Sequence, residues 1–156
     1  MIFGAAHAED VDVLVSIDSA SPQAWPPGAF LAELDHDPKT LFVLRCKERV
    51  VAFVVVRFQI PEMDIVNLAV AGDVRRRGVG RCLLRSLLNH VATSGVRTVF
   101  LEMREGNRGA QGLYGSFGFK PTQRRRGFYK EPTEDAVLTR LEIEPRDEVE
   151  GPGNAC

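Results

Sequence analysis

Apolar and polar positions follow two different periods along this chain. In two segments the apolar residues recur every three or four positions, which predicts amphipathic helices at 8–20 and 79–92. Two shorter helices are predicted from their start signals. Pro26 and Pro27 mark the start of a helix within 21–38, because proline suits a first helical turn. Asn107 is a good N-cap for a helix within 107–119.

Strands are predicted where apolar runs are bounded by turn residues. They are 40–46, 50–58, 63–70, 96–103 and 136–143. The run at 50–58 is apolar on both faces, so we expect it to be central in a covered sheet. The run at 136–143 is expected to close the sheet. Strands alternate with helices early and late, with a run of strands between, which predicts an α/β fold with a mixed, mostly antiparallel sheet flanked by helices.

The chain has 156 residues and a formal net charge of −1. This length fits one domain, which we assign to residues 1–143. Residues 144–156 are polar and rich in proline and glycine, and are expected to form a flexible tail. The near-neutral charge does not favour sequence-independent binding to nucleic acid. No leader and no run long enough to cross a bilayer is recognised, so a cytoplasmic protein without membrane contact is expected.

The cysteines and histidines predict no metal site. There are three cysteines, an odd number without a zinc or disulfide spacing, which favours reduced thiols in a cytosol. Cys46 and Cys82 lie in apolar runs and are expected to be small core residues. The three histidines are scattered along the chain.

An arginine-glycine loop lies between the strand that ends at Val70 and the helix at 79–92. The first amides of that helix have no intrahelical acceptor and carry the positive end of the helix dipole. Gly78 and Gly80 have no Cβ, so a ligand can approach the main chain closely. The loop therefore predicts an anion cradle, to which the arginines add charge. A solvated basic turn is the alternative for this motif alone.

Two stretches, "NLAVAGDVRRRGVGRCLLRSLL" and "VFLEMREGNRGAQGLYGSFGFK", closely resemble the GNAT family of acetyl-CoA-dependent N-acetyltransferases. The resemblance implies the GNAT fold, with acetyl-CoA as cofactor. It also implies that the loop amides take the pyrophosphate and that the strand before the loop pairs its main chain with the pantetheine arm. The residues assigned to the cofactor in this way are Leu68, Ala69, Val70, Arg75, Arg76, Arg77, Gly78, Val79, Gly80, Arg81, Asn107 and Tyr114.

Three further segments, "AWPPGAF", "LEMREGN" and "FYKEPTEDAVLTRLEI", are similar to the branch of that family that acetylates the N-terminal alanine of a ribosomal protein. The resemblance implies that Glu102 is the general base, acting through water, and that Tyr114 is the general acid. It also implies direct attack of the amine within a ternary complex. The chain departs from the branch at Gly106, at Gly109 and in the segment after Tyr129.

Local patterns give both residues an alternative explanation. Glu102 shares one strand face with Thr98 and Phe100, where a carboxylate is costly unless it is wet or bonded. A structural ion pair with Arg97 or Arg104 would also explain it. Tyr114 follows Asn107 by about two helical turns, so both can reach one ligand. A core tyrosine bonded to a backbone carbonyl is the alternative.

Five residues are candidates for binding the acceptor. Aromatic side chains that could wall an acceptor groove, and carboxylates that could attract a basic peptide, are Trp25, Phe30, Tyr129, Glu62 and Asp64. Trp25 as a core anchor, and the two carboxylates as solvated strand ends, are the alternatives. Gly109, Gly112 and Gly115 in one helix suggest close approaches of its backbone to the sheet and the cofactor.

An N-terminal α-amine is the favoured acceptor. About a tenth of such amines, with a pKa near 8, are neutral at pH 7, against under about a thousandth of lysine side chains. A protein N-terminus, including one of a ribosomal protein, is therefore the expected partner. A small-molecule amine or a lysine is the first alternative. A non-catalytic coenzyme A-binding or RNA-binding module is the second, with the basic cluster Arg124–Arg126 explained more simply as a charged strand edge.

Overall fold

A computed structural model describes residues 1–147 and residue 156. The described chain forms one seven-stranded sheet with helices packed on both faces. The strands are β1 (Ile2–Ala5), β2 (Leu41–Cys46), β3 (Arg49–Gln59), β4 (Glu62–Val70), β5 (Thr98–Arg104), β6 (Lys120–Tyr129) and β7 (Glu134–Glu142). The helices are α1 (Val11–Asp18), α2 (Pro27–Leu34), α3 (Val79–Ala92) and α4 (Arg108–Ser116). In this part of the chain, no helix is long and apolar enough to cross a membrane.

The strand order is β1-β2-β3-β4-β5-β7-β6. Every neighbouring pair is antiparallel except β4 and β5, which confirms the predicted mixed, mostly antiparallel sheet. The expectation that 136–143 closes the sheet is wrong, because β7 lies between β5 and β6. The two edge strands are β1 and β6, and the seven leading residues of β6 are all exposed. The basic cluster Arg124–Arg126, explained from sequence as a charged strand edge, lies in β6, although the apolar positions are too few to predict the whole strand.

The sheet separates two hydrophobic cores, and β3 contributes to both. Residues 50–56 are buried on both strand faces, which confirms the prediction of a central strand. Val54 and Val56 belong to the core that contains α3, whereas Phe53 and Val55 belong to the core that contains α1 and α2. Because successive side chains of β3 point to opposite faces, each helix that packs on the sheet can be assigned to one of its two faces.

The two central strands, β4 and β5, separate partway along their length. They pair in parallel only where Glu62–Ile65 of β4 lies beside Thr98–Leu101 of β5. Beyond Ile65, β4 continues to Val70 along β3, while β5 continues to Arg104 along β7. A wedge opens between them, and within the described residues no strand pairs with β4 on that side.

The chain end packs back along α3. The Ile143 N–H donates to the Arg97 carbonyl at 2.9 Å, and the Arg146 N–H donates to the Ala92 carbonyl at 3.5 Å. The second contact places Arg146 at the end of α3, and the first pairs Ile143 with the segment between α3 and β5. The rest of the predicted tail, 148–155, lies outside the described residues.

The prediction of three reduced thiols is wrong in this structure. Cys82 is buried in the core as predicted, but it forms a disulfide with Cys156. Their 74-residue separation leaves no local spacing from which the pair could be read. Cys46 is exposed, because it is the last residue of β2 and borders the turn to β3.

Candidate active site

A cavity of about 680 Å³ occupies the wedge between β4 and β5. Its walls come from five places: the end of α1 and the loop that follows it, the second half of β4, the loop into α3, the facing part of β5 with α4, and the end of β6. The diverging strands β4 and β5 form the two facing sides of the cavity, and helices, loops and the end of β6 supply the rest of its walls. The cavity therefore depends on both the strand topology and the segments packed over it.

The arginine-glycine loop forms one rim of this cavity. Gly78 is the N-cap of α3, with φ 79°, and no described side chain caps the helix there. The left-handed conformation favours glycine, and the missing cap leaves the first amides of α3 free to bind an anion. Gly78 and Gly80 both line the cavity, so the uncapped end of α3 is open to it. Binding of an anion there stays a prediction.

The arginines of the loop are used in different ways. The Arg75 Nε–H donates to the Val70 carbonyl at 3.1 Å, which folds the loop back onto the end of β4. Arg81 donates to Ser116 Oγ at 2.8 Å and so ties α3 to α4. Arg75, Arg76 and Arg81 line the cavity, whereas Arg77 is not among its lining residues. A bidentate pair of Arg49 with Asp73 braces the loop from outside.

The free edge of β4 offers main-chain partners to a ligand. The Ala71 N–H donates to the Val51 carbonyl at 2.8 Å, toward β3. Since successive residues of a strand direct their N–H and C=O groups to opposite edges, those of Val70 face the wedge, where the carbonyl accepts the Arg75 Nε–H and the N–H is directed at the cavity. Leu68, Ala69 and Val70 all line the cavity. This edge can pair with an extended ligand as a further strand would.

Glu102 lies on the β5 wall of the cavity. Its side chain is 27% exposed, and its carboxylate lies 3.3 Å from the Arg125 guanidinium of β6. The ion-pair partners expected from sequence were different. Arg104 pairs with Glu134, and Arg97 donates to the carbonyls of residues 92 and 96. Glu102 is thus an accessible, charged acceptor with a cation on its strand-edge side.

Tyr114 lies on the α4 wall. It is 5% exposed, its ring packs edge-on against Phe119 at 5.5 Å, and burial raises the pKa of its phenol above the usual range. Among the described residues its hydroxyl has no hydrogen-bond partner, so the carbonyl expected for a core tyrosine is missing. Asn107 lines the same cavity and caps α4 by accepting the Ala110 N–H at 3.0 Å. The Tyr114 phenol is therefore a protonated hydrogen-bond donor that faces the cavity.

Tyr129 comes from the edge strand β6 and closes the cavity near Glu102. The Arg104 guanidinium lies over its ring at 4.5 Å. Burial raises the pKa of Tyr129, and the negative charges of Glu102 and Glu134 raise it further, against the opposing effect of Arg104. Tyr129 therefore stays protonated and contributes a neutral hydroxyl to this end of the site.

Comparison with known proteins decides to which family the chain belongs. Residues 11–119 match the model of the Acetyltransferase (GNAT) family. The chain belongs to the GNAT family.

Two relatives describe the likeness of this acetyltransferase more closely. Over 104 residues the chain is 39% identical to the ribosomal protein bS18-alanine N-acetyltransferase of Salmonella typhimurium, covering 64% of this chain and 69% of that protein. The crystal structure of the ribosomal-protein-S18-alanine N-acetyltransferase from Escherichia coli superposes with a TM-score of 0.83 at 28% identity. That superposition covers 94% of this chain and 96% of the other. The GNAT fold is confirmed over nearly the whole length.

Acetyl-CoA is the acetyl donor of this GNAT enzyme, as its family membership establishes. NAA60 of Arabidopsis thaliana, solved in complex with acetyl-CoA, has the same fold with a TM-score of 0.79 at 18% identity, covering 90% of this chain and 98% of that one. In our structure the uncapped amides of α3 suit the pyrophosphate, and the free edge of β4 suits the pantetheine arm. The residues present therefore fit the cofactor.

The other predicted acceptor residues of the acetyltransferase lie away from the cavity lining. Phe30 is fully buried and packs edge-on against Phe53 at 5.3 Å, so it is a core residue and does not wall a groove. Trp25 packs against Phe30, with 5.5 Å between the ring centres, beside the core that contains α1 and α2. Glu62 and Asp64 are exposed near the start of β4, where β4 and β5 are still paired.

Sequence reasoning missed several polar residues that line the cavity of this GNAT enzyme, among them Asp18 and Asn67. Asp18 and Asn67 both line the cavity, from the end of α1 and from β4. The available signal was Asp18 itself, because an acidic residue at a helix C-terminus opposes the helix dipole and needs a compensating partner.

The glycines of α4 do not make the close approach to the sheet that was predicted, whereas their approach to the cofactor stays a prediction. A Cβ built at Gly112 or Gly115 meets nothing within 4 Å, and one at Gly109 meets only the Asn107 side chain at 3.9 Å. Among the glycines within helices, the closest approach is at Gly80 of α3, where a Cβ would lie 3.3 Å from Leu113 Cδ2. A larger residue at position 80 would therefore require Leu113 to shift where α3 packs on α4.

Proposed function

We propose that this enzyme transfers the acetyl group of acetyl-CoA to the N-terminal α-amine of a protein that begins with alanine, of the ribosomal-protein type. The observation that carries the proposal is that Glu102 and Tyr114 line one cavity, together with the free edge of β4. The relatives named as alanine N-acetyltransferases support the choice of acceptor. The reaction would take place in the cytoplasm.

Glu102 is proposed as the general base. Its carboxylate is accessible from the cavity and can accept a proton from the amine through a bridging water. An α-amine with a pKa of about 8 needs little help to lose its proton near neutral pH. A single carboxylate is therefore sufficient for this acceptor, whereas a lysine side chain would need its pKa lowered by the pocket.

Tyr114 is proposed as the general acid. Burial keeps its phenol protonated, and its hydroxyl has no competing partner among the described residues. It can therefore donate its proton to the sulfur that leaves as the amide bond forms. Tyr114 would be regenerated by the proton that the amine has released.

The main chain of β4 is proposed to orient the thioester. The Val70 N–H faces the wedge and can donate to the carbonyl oxygen as negative charge develops there. Amine, carbonyl and phenol then lie within one cavity, so the amine attacks the carbonyl directly. We accordingly propose a ternary complex without an acetylated enzyme.

Incubation with acetyl-CoA and a basic peptide that begins with alanine and contains internal lysines tests this function. Mass spectrometry with fragmentation should find one added acetyl group, on the alanine nitrogen. The matched control is the same peptide with a blocked N-terminus, which should stay unmodified. Acetylation of the blocked peptide at lysine would overturn the proposed acceptor. So would acetylation of a polyamine, supplied as an alternative substrate, when neither peptide is modified.

A further inference from the structure

The buried carboxylate of Asp18 is part of the cavity wall. Asp18 is 1% exposed, at the last position of α1. One of its oxygens, Oδ2, accepts the Trp25 N–H at 2.7 Å, and the other, Oδ1, accepts an Asn67 Nδ2–H at 3.2 Å. A charge this deeply buried is costly unless its oxygens are bonded, and here both are. Asp18 thus joins the loop after α1 to strand β4.

A β-bulge turns Asn67 toward Asp18. Opposite β3, Ile65 pairs with Val56 and Asn67 pairs with Val55, so Val66 is an additional residue on β4. Such a bulge inverts the alternation of side chains along the strand. Ile65 therefore faces the core of α3, while Asn67 faces the side of α1 and α2, as Val55 does. Without the bulge these two β4 side chains would share a face.

The hydrogen bond to Asp18 determines which end of the Asn67 amide faces the cavity. An ionised carboxylate accepts hydrogen bonds but cannot donate, so the group that Asn67 presents to Asp18 must be its NH₂. The carbonyl oxygen Oδ1 lies on the other side of the amide. Asn67 lines the cavity, and among the described residues its Oδ1 has no donor. The site therefore contains an oriented neutral acceptor.

We propose that Asn67 Oδ1 accepts one N–H of the acceptor amine and that Asp18 is the positioning residue that holds the Asn67 amide in this orientation. This inference rests on the proposed function. A neutral primary amine has two N–H groups and one lone pair. If Glu102, through water, and Asn67 each accept a hydrogen bond from one N–H, the lone pair is aimed at the thioester carbon, and Glu102 receives the proton that the nitrogen releases once the amide bond forms.

Three variants test this arrangement. In Asn67→Ala the acceptor oxygen is lost. In Asp18→Asn the oxygen of the new amide can still accept the Trp25 N–H, so its NH₂ faces Asn67. Asn67 must then turn its own oxygen toward residue 18, and its NH₂ faces the cavity. In the exchange Asp18→Asn with Asn67→Asp, the pair remains bonded and an oxygen again faces the cavity. Asp12→Asn, on the exposed side of α1, is the matched control.

The expected readout is kcat/KM for the alanine peptide, with KM for acetyl-CoA and the melting temperature measured beside it. Asn67→Ala and Asp18→Asn should each lower kcat/KM about tenfold or more, the effect of one lost hydrogen bond to the reacting group. KM for acetyl-CoA should change little. The exchange variant should recover most of the loss of Asp18→Asn, and Asp12→Asn should resemble the wild type.

Separate outcomes overturn the inference and the proposed function. If the wild type does not acetylate the peptide, the proposed function fails. If the wild type is active and Asn67→Ala is equally active, Asn67 does not bind the amine. If Asp18→Asn loses activity only in proportion to lost folded protein, or the exchange variant is no better than Asp18→Asn, Asp18 has a structural role alone.

Discussion

Gly80 faces Leu113 so closely that a Cβ at position 80 would lie 3.3 Å from the leucine Cδ2. Gly80 is in the first turn of α3, and Leu113 is on α4, so this is a tight contact between the helix that follows the arginine-glycine loop and the helix of Tyr114. We expect the position of the cradle relative to Tyr114 to depend on this contact.

We therefore expect Gly80→Ala to weaken acetyl-CoA binding. The added methyl group must displace Leu113 or the start of α3, and overpacking of this kind costs about 1–3 kcal/mol. The dissociation constant for acetyl-CoA, measured by calorimetry, should rise roughly tenfold. Combining the change with Leu113→Val should restore part of the affinity. Equal affinity of Gly80→Ala and the wild type would show that the helices adjust freely.

Tyr114→Phe should lower kcat by about 10²–10⁴-fold, the usual contribution of a general acid. The dissociation constant for acetyl-CoA and the melting temperature should change little, because the hydroxyl bonds to no described residue and the ring contact with Phe119 is kept. Rapid-quench measurement of product formation gives the chemical step directly. An unchanged rate would remove Tyr114 from the mechanism.

Glu102→Gln should also slow the chemical step, by about 10²-fold or more, because the amide cannot accept the amine proton. Glu105→Gln is a suitable control, since Glu105 is not among the cavity-lining residues and pairs with Arg124 on the same edge strand. It should keep close to wild-type kcat. A similar loss in both variants would indicate that the edge-strand ion pairs matter only for structure.

The pair of Asp10 and Arg45 should make stability depend on acid pH. Burial alone would raise the pKa of Asp10, but bonds from Arg45 and the His7 N–H outweigh it and lower that pKa below the usual value. The resulting stabilisation is fully present above a pH of about 5 and is lost as pH falls through the folded-state pKa. Denaturant unfolding at several pH values should show Asp10→Asn less stable at pH 7 by about 1–3 kcal/mol. Its curve should converge with the wild type near pH 2.

Gly115→Ala should stabilise the enzyme by about 0.5–1 kcal/mol, the helix preference of alanine over glycine. The site is exposed, and the new Cβ has no described atom within 4 Å. Thermal unfolding would measure the gain, and turnover should be unchanged because Gly115 does not line the cavity. Destabilisation would mean that this glycine has a structural requirement after all.

The periodic parts of the fold were readable from sequence because burial imposes them. The apolar run of β3 and the apolar face of α3 pack against the two cores. The spacing of their apolar residues in the sequence therefore shows which positions are buried. β6 was not readable as an edge strand of full length, since its side chains are solvated and its arginines pair with Glu102 and Glu105. β1 is short and its pattern is brief.

The same limit explains the candidate site. The amides at the start of α3 depend on local sequence, so the cradle was predicted. Asn67 was not, because its direction depends on a bulge that pairing with β3 creates. Phe30 was wrongly assigned to a groove, since an aromatic after a proline turn can face either the core or the solvent, and only tertiary packing decides.

The parallel contact of β4 with β5 lasts four residue pairs and then ends. Two half-sheets are thus joined by a short seam, with the coenzyme's arm proposed to lie where the seam would have continued. Binding of acetyl-CoA would then extend the sheet across the wedge. The rigidity of the sheet between β4 and β5 and the catalytic activity should accordingly increase and decrease together.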